Sequence, residues 1–348
     1  MLADRIEEKW IDVFVALFGM CGIKPGDDVV ILSETQSRQL NVHLAELALL
    51  RLKARAFHLV MPTPPLPVKL PIRSTGASFA LQRNGVAVGA LARAAVVVDL
   101  TVEGLMHAPE TPEILKGGAR IINISNEHPD ALERLLPDEA LKHKTQSARR
   151  LLKAGRRMRI TSDAGTDMTA DLDGAAAVGI HGYTDKPGTL AHFPGGIALA
   201  FPKAGAVNGR LVLDAGDINL TFKRYIESRV VLDIEDDYVT AIEGSGTDAE
   251  LTRRYIAAWG DREAYATSHV GFGLNKTARY EALAMYDQRD FNGTEVRAYA
   301  GNFLFSTGAN EFAGRYTLGH FDIPVGRCTI AIDGTVVVDR GELTGEFA

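Results

Sequence analysis

A chain of 348 residues exceeds what one hydrophobic core usually serves, so two domains are expected. With 46% apolar and 24% charged residues the composition is that of a globular protein, which excludes a disordered or fibrous chain. The net charge of -6 provides no basic field, which argues against nucleic-acid or anionic-membrane partners and favours a small-molecule substrate.

Only Cys21 and Cys328 occur, far apart and without CxxC spacing, so neither a disulfide framework nor a structural zinc site is indicated and a reducing compartment is expected. The first ten residues are charged and amphipathic where an export signal needs a basic tip and an apolar run. The longest apolar runs, such as Ala94-Ala95-Val96-Val97-Val98, fall far short of the roughly 20 residues of a membrane span. A cytoplasmic homo-oligomer is the expectation.

In chain order, residues 5–22 predict a helix, 24–28 a turn, 29–32 a buried strand, 41–53 a helix and 54–60 a second strand. The alternation continues with a helix over 86–93, a strand over 95–100, a short helix over 112–116 and a strand over 120–124. Such alternation predicts a mainly parallel, Rossmann-like sheet covered on both faces, with Pro62, Pro64, Pro65 and Pro67 in a surface excursion. The first strand leads into Leu32-Ser33-Glu34-Thr35-Gln36 with no glycine fingerprint, so the shape does not imply NAD. A long basic helix over 137–157 reads as a connector, and the domain boundary is placed along it, giving domains of 1–155 and 156–348. Beyond it come short strands and glycine turns at 157–162, 192–201, 210–213, 230–234 and 238–242, then a helix over 248–259, the texture of an antiparallel α+β domain. Gly244-Ser245-Gly246, after the acidic hairpin of Asp233, Glu235, Asp236 and Asp237, reads as a solvated turn.

The chemistry centres on residues 314–324, which read as extended. Alternation puts His320 and Asp322 on one face, roughly 6–7 Å apart and within reach of one metal ion. His269, just before a glycine-rich turn at Gly271-Phe272-Gly273 that lets backbone approach closely, is the best third ligand. Two histidines and a carboxylate suit Fe(II) with open positions for dioxygen, although zinc and manganese bind the same set and a bare His-x-Asp also fits an ordinary polar strand face. Among the other histidines, His43, His58, His128 and His143 have ordinary contexts. His107 lies just beyond the strand ending at Leu100, where open α/β sheets present ligand loops. His181 precedes a glycine, and His192, before Pro194-Gly195-Gly196, fits a turn residue.

The motifs Ala164-Gly165-Thr166-Asp167-Met168, His192-Phe193-Pro194-Gly195-Gly196, Val207-Asn208-Gly209-Arg210, Gly271-Phe272-Gly273-Leu274-Asn275 and Gly319-His320-Phe321-Asp322 stand in an order that resembles the thermophilic-type metallo-aminopeptidases over about residues 155–330. Within that superfamily the chain is most similar, along nearly its whole length, to the 2,5-dihydroxypyridine 5,6-dioxygenases, ring-cleaving enzymes of nicotinic acid and nicotine breakdown. The resemblance implies an α/β N-terminal domain joined to a metallo-aminopeptidase-like α+β catalytic domain. It implies Fe(II) held by His269, His320 and Asp322, and conversion of 2,5-dihydroxypyridine and O2 to N-formylmaleamate. The peptidase turn that carries a glutamate holds Pro194-Gly195-Gly196 here, His269 stands where a further glutamate is expected, and Asn302 lies where a histidine is expected. A two-metal hydrolytic site therefore lacks its ligands. The same comparison points to His192 as the general base, with His107 as the alternative, because histidine's ordinary pKa of about 6.5 suits removal of a hydroxyl proton. An aminopeptidase with an altered metal site, or a metal-free binding protein on the same scaffold, are the competing readings.

Overall fold

The computed structural model describes residues 5–66, 68 and 76–348; Pro67 of the proline-rich excursion lies outside them. The first sheet has five strands in the order Arg55–Met61, Asp28–Glu34, Val96–Leu100, Arg120–Ile124 and Leu190–Phe193, all parallel. Its central strands are buried on both faces, which is why Val29 to Leu32 and Val96 to Val98 read as continuous apolar runs without alternation. The helices Glu8–Met20 and Gln39–Arg51 pack Phe14, Phe18 and Leu44 on one face, while Gly85–Leu91 and Thr111–Lys116 pack Leu91 and Ile114 on the other. Strand order reverses between Asp28–Glu34 and Val96–Leu100, so the loops leaving those strands open a crevice at their carboxyl ends.

The remainder builds two antiparallel sheets. One has eight strands, with Val207–Leu213, Asp167–Asp171, Arg157–Thr161 and Thr329–Ile332 at its centre. The other has five, in the order Arg315–Val325, Phe303–Asn310, Thr267–Gly273, Ile197–Phe201 and Ala176–Ile180. A shared core that includes Met158, Ile160, Leu211, Leu232, Phe272, Phe303, Phe305 and Phe321 joins them. The connecting helix spans Glu139–Ala154, buries Thr145, Ala148 and Leu152, and rides on Ala176–Ile180 and Ile197–Phe201. Gly179 permits this contact, since a Cβ there would collide with the Thr145 carbonyl. A short helix ahead of it, Pro129–Arg134, carries no clear sequence signal.

Three local expectations are corrected. Residues 192–201 do not form one strand: Leu190–Phe193 completes the parallel sheet and Ile197–Phe201 enters the antiparallel one. Pro194 lacks an N–H for either ladder, and Gly196 takes a φ of 110°, so the chain turns between the sheets there. The fifth parallel strand thus returns from beyond residue 155. The glycine-rich segment after His269 is no turn: Gly271 and Gly273 continue the strand Thr267–Gly273 and serve the close backbone approach expected there, since Cβ atoms would strike the carbonyls of Ala198 and Tyr299. Asp237 of the acidic hairpin is buried, accepts from the N–H groups of Gly205 and Val207, and is ion-paired with Arg315.

Candidate metal centre

Three adjacent antiparallel strands build the site. His269 pairs with Ser306 and Ser306 with Asp322, and His320, two residues before Asp322, lies opposite Gly308, so two adjacent rows of cross-strand neighbours present both imidazoles and the carboxylate on the same face. Gly308 leaves the space opposite His320 free of a side chain, and its φ of 120° brings the backbone so close to the Gly319 carbonyl that a Cβ could not fit.

His269 Nε2 lies 3.4 Å and His320 Nε2 3.2 Å from Asp322 Oδ1. The ligand-capable atoms of the three residues fall within 4.8 Å of one another, the one such cluster among the described residues. All three side chains are buried, yet His269 Nδ1 and Asp322 Oδ1 have no hydrogen-bond partner there. A buried polar atom left unpaired costs about 1–3 kcal/mol, so the donor set fits a cation. Arg297 Nε, 2.5 Å from Asp322 Oδ2, engages the second oxygen and leaves Oδ1 toward the histidines. Burial works to raise the Asp322 pKa, but His320, Arg297 and His269 prevail and hold it well below the usual carboxylate range. Burial, reinforced by the charges of His320, His107 and Arg297 and opposed by Asp322, pushes His269 down to about 3, so it is a neutral imidazole able to ligate at physiological pH.

His107 arrives from the loop that follows Val96–Leu100. Its ring centroid is 5.3 Å from that of His320, and its Nδ1 is 3.4 Å from Glu311 Oε1. His192 stands near the carboxyl end of Leu190–Phe193 and interacts with the charges of Arg297 and Asp322. Its Nδ1 is 2.8 Å from the Pro194 carbonyl, an acceptor, so that nitrogen carries the proton. Burial lowers its pKa to about 4.

Over residues 9–345 the chain matches the family model of 2,5-dihydroxypyridine 5,6-dioxygenase. It is 39% identical over 319 residues to the 2,5-dihydroxypyridine 5,6-dioxygenase of Pseudomonas putida KT2440, an alignment covering 90% of each protein. The chain belongs to the 2,5-dihydroxypyridine 5,6-dioxygenase family. The solved structure of 2,5-dihydroxypyridine dioxygenase from Pseudomonas putida KT2440 superposes with a TM-score of 0.91 at 36% identity, covering 97% of this chain and 98% of that one. AmpT from Thermus thermophilus, at 12% identity and a TM-score of 0.60 over 97% of this chain and 99% of its own, shares the fold. No helix among the described residues is long and apolar enough to cross a membrane.

In this family member the five residues singled out from sequence converge: the candidate ligands come from the antiparallel sheet, and the two further histidines from the parallel sheet and its loop. His181 instead packs on Tyr183 and reaches Gln146 of the connecting helix. Asn302, where a peptidase-type histidine is expected, donates through Nδ2 to the carbonyls of Arg297 and Tyr299 and so shapes the turn that carries Arg297. Sequence reasoning missed Arg297, Ser306, Glu311 and Phe201. Arg297 sits on the one-turn helix Thr294–Ala298, whose N-terminal N–H groups at Gly293 and Thr294 donate to buried Glu127, just beyond the parallel strand Arg120–Ile124. Ser306 Oγ is 3.5 Å from both His320 nitrogens, and Phe201 stands edge-on to His269 at 5.4 Å. None of the four lies in a recognisable motif.

Proposed function

We propose that the chain binds one Fe(II) through His269, His320 and Asp322 and cleaves 2,5-dihydroxypyridine with O2 between C5 and C6, giving N-formylmaleamate. The observation that carries this reading is the buried two-histidine, one-carboxylate cluster with unpaired ligand atoms, in a chain of this family. When bound, ferrous iron supplies open coordination positions and the electron transfer that dioxygen activation requires. The protein's own residues supply orientation, water exclusion and proton handling. Phe201, buried and edge-on to His269 with ring centroids 5.4 Å apart, sets an apolar ring beside the candidate ligand. Arg297 keeps Asp322 ionised and turns one oxygen toward the histidines.

Removal of the substrate hydroxyl proton needs an acceptor matched to neutral pH. Two observations favour His107 over His192 for this step. Burial lowers His192 to about 4, so its Nε2, left free while Nδ1–H donates to the Pro194 carbonyl, is a weak proton acceptor and suits a neutral hydrogen-bonding partner of the substrate better than a base. His107 has a carboxylate beside Nδ1 and its ring against His320. A general base typically contributes 10²–10⁴-fold, so His107→Ala should retain iron while kcat falls by roughly that factor, and His192→Ala should act mainly on KM. The reverse pattern would return the base role to His192. Turnover under 18O2 should place both labelled atoms in the product; label from water instead would remove the dioxygenase reading.

A further inference from the structure

We propose that Glu311 is a positioning residue for the reaction, holding the His107 ring by its Nδ1 so that Nε2 is presented to the substrate hydroxyl. This rests on the reading of His107 as the proton acceptor, and nothing in the family match assigns Glu311 a role.

The His107 ring is bracketed on several sides. The backbone N–H of His107 donates to the Gly76 carbonyl at 2.9 Å and fixes the main chain there, and Gly76 lies so near the ring that a Cβ would stand 3.2 Å from His107 Cδ2. His320 covers a further side at 5.3 Å between centroids. The remaining freedom is a half-turn about the ring's own axis, which exchanges the Nδ1 and Cδ2 edges. Glu311 Oε1, 3.4 Å from Nδ1, selects between the two, because the flipped ring would offer a C–H to the carboxylate and a polar nitrogen to Gly76. The carboxylate also selects the tautomer: a neutral imidazole carries one proton, an acceptor beside Nδ1 keeps it there, and Nε2 is left as the nitrogen able to accept.

Glu311 is itself placed by the backbone. It opens the single 3-10 turn Glu311–Ala313 at the tip between Phe303–Asn310 and Arg315–Val325, where Asn310 Oδ1 accepts from the Ala313 N–H and Asn310 Nδ2 donates to the Pro202 carbonyl. Phe312 anchors the tip on Phe201. Contact with His107 holds Glu311 below the usual carboxylate range, against the opposing effect of burial. The Glu311 side chain is 40% exposed, and exposed ion pairs contribute little to stability, so the contact is poorly explained as a fold-stabilising device.

The test compares Glu311→Gln, Glu311→Asp, His107→Gln and the Glu311→Gln/His107→Gln double variant as iron-loaded enzymes, with melting temperature and iron content measured beside kcat and KM. Glu311→Gln should lower kcat roughly 10–100-fold, as loss of an orienting partner behind an imidazole does, with KM, iron content and melting temperature unchanged. Glu311→Asp should recover part of the loss, and adding Glu311→Gln to His107→Gln should lower kcat no further. Glu311→Gln turnover equal to wild type beside an impaired His107→Gln would overturn the positioning role and leave the base reading standing. So would a Glu311→Gln defect that persists in full without His107, or one that comes only with lost iron or a lower melting temperature. Wild-type turnover in His107→Gln would sink the base reading and the positioning role together.

Discussion

Replacing Arg297 with methionine separates the part of Asp322 that stabilises the fold from the part that binds metal. The Arg297 and Asp322 side chains are 16% and 6% exposed and 2.5 Å apart, a buried pair whose partner removal costs about 3–5 kcal/mol because the remaining charge has no compensation. With an unfolding entropy near 2.1 cal/mol/K per residue, the 348-residue chain changes by roughly 0.7 kcal/mol per degree, so the metal-free variant should melt about 4–7 °C below wild type. A divalent ion at Asp322 Oδ1 supplies a new counter-charge, and an ion at about 100 times its Kd stabilises the native state by ~2.7 kcal/mol in wild type and by more in the variant. The deficit should therefore shrink to less than half on loading. The assay is anaerobic melting of wild type and Arg297→Met, each with and without Fe(II). A metal-free variant that melts like wild type, or a deficit of equal size in both forms, would refute this account of the site's electrostatics.

His320→Ala should lose both bound iron and oxygen consumption, since removing one of three ligands takes away much of a site's affinity; full iron occupancy by metal analysis in Asp322→Ala would sink the ligand assignment. Gly271→Ala should lower stability by about 1–3 kcal/mol or more in urea unfolding, because its Cβ meets the Ala198 backbone carbonyl, which cannot rotate away; a neutral result would contradict the strand packing behind His269. For His192 the folded pKa of about 4 lies below the ordinary 6.5, so the unfolded chain takes up a proton first as pH falls. The associated stability is present above pH 6.5 and is lost as pH falls from there to about 4, by at most roughly 3 kcal/mol. Urea unfolding of the metal-free protein at pH 7 and near pH 4.5 should show a shallower loss in His192→Gln, and an unchanged acid slope would contradict burial of a neutral ring.

The parallel sheet was readable because strands buried on both faces need unbroken apolar runs, and Val29 to Leu32 and Val96 to Val98 supply them. His320 and Asp322 were readable because a strand alternates its faces. What stayed hidden depends on partners distant in sequence. Nothing local to Leu190–Phe193 announces that it pairs with Arg120–Ile124 while the segment after Pro194 enters another sheet. Asp237 looks solvated until Arg315, 78 positions later, is folded against it. Arg297 and Glu311 are ordinary surface-type residues in sequence, and the site acquires them only when the strands that carry Asp322 and His320 bring a one-turn helix and a hairpin tip alongside. Gly271 and Gly273 suggest a turn because glycine usually marks one, whereas here they admit a neighbouring carbonyl.

The central claim is that the His269, His320 and Asp322 cluster makes this chain an iron-dependent ring-cleaving dioxygenase. Its most direct test is oxygen uptake with 2,5-dihydroxypyridine after anaerobic reconstitution with Fe(II). Equimolar consumption of oxygen and substrate with Fe(II), and none in metal-free or zinc-loaded protein, is the predicted result. Absence of uptake with full iron occupancy, or hydrolysis of an aminoacyl chromogenic substrate by the zinc- or cobalt-loaded protein, would contradict it.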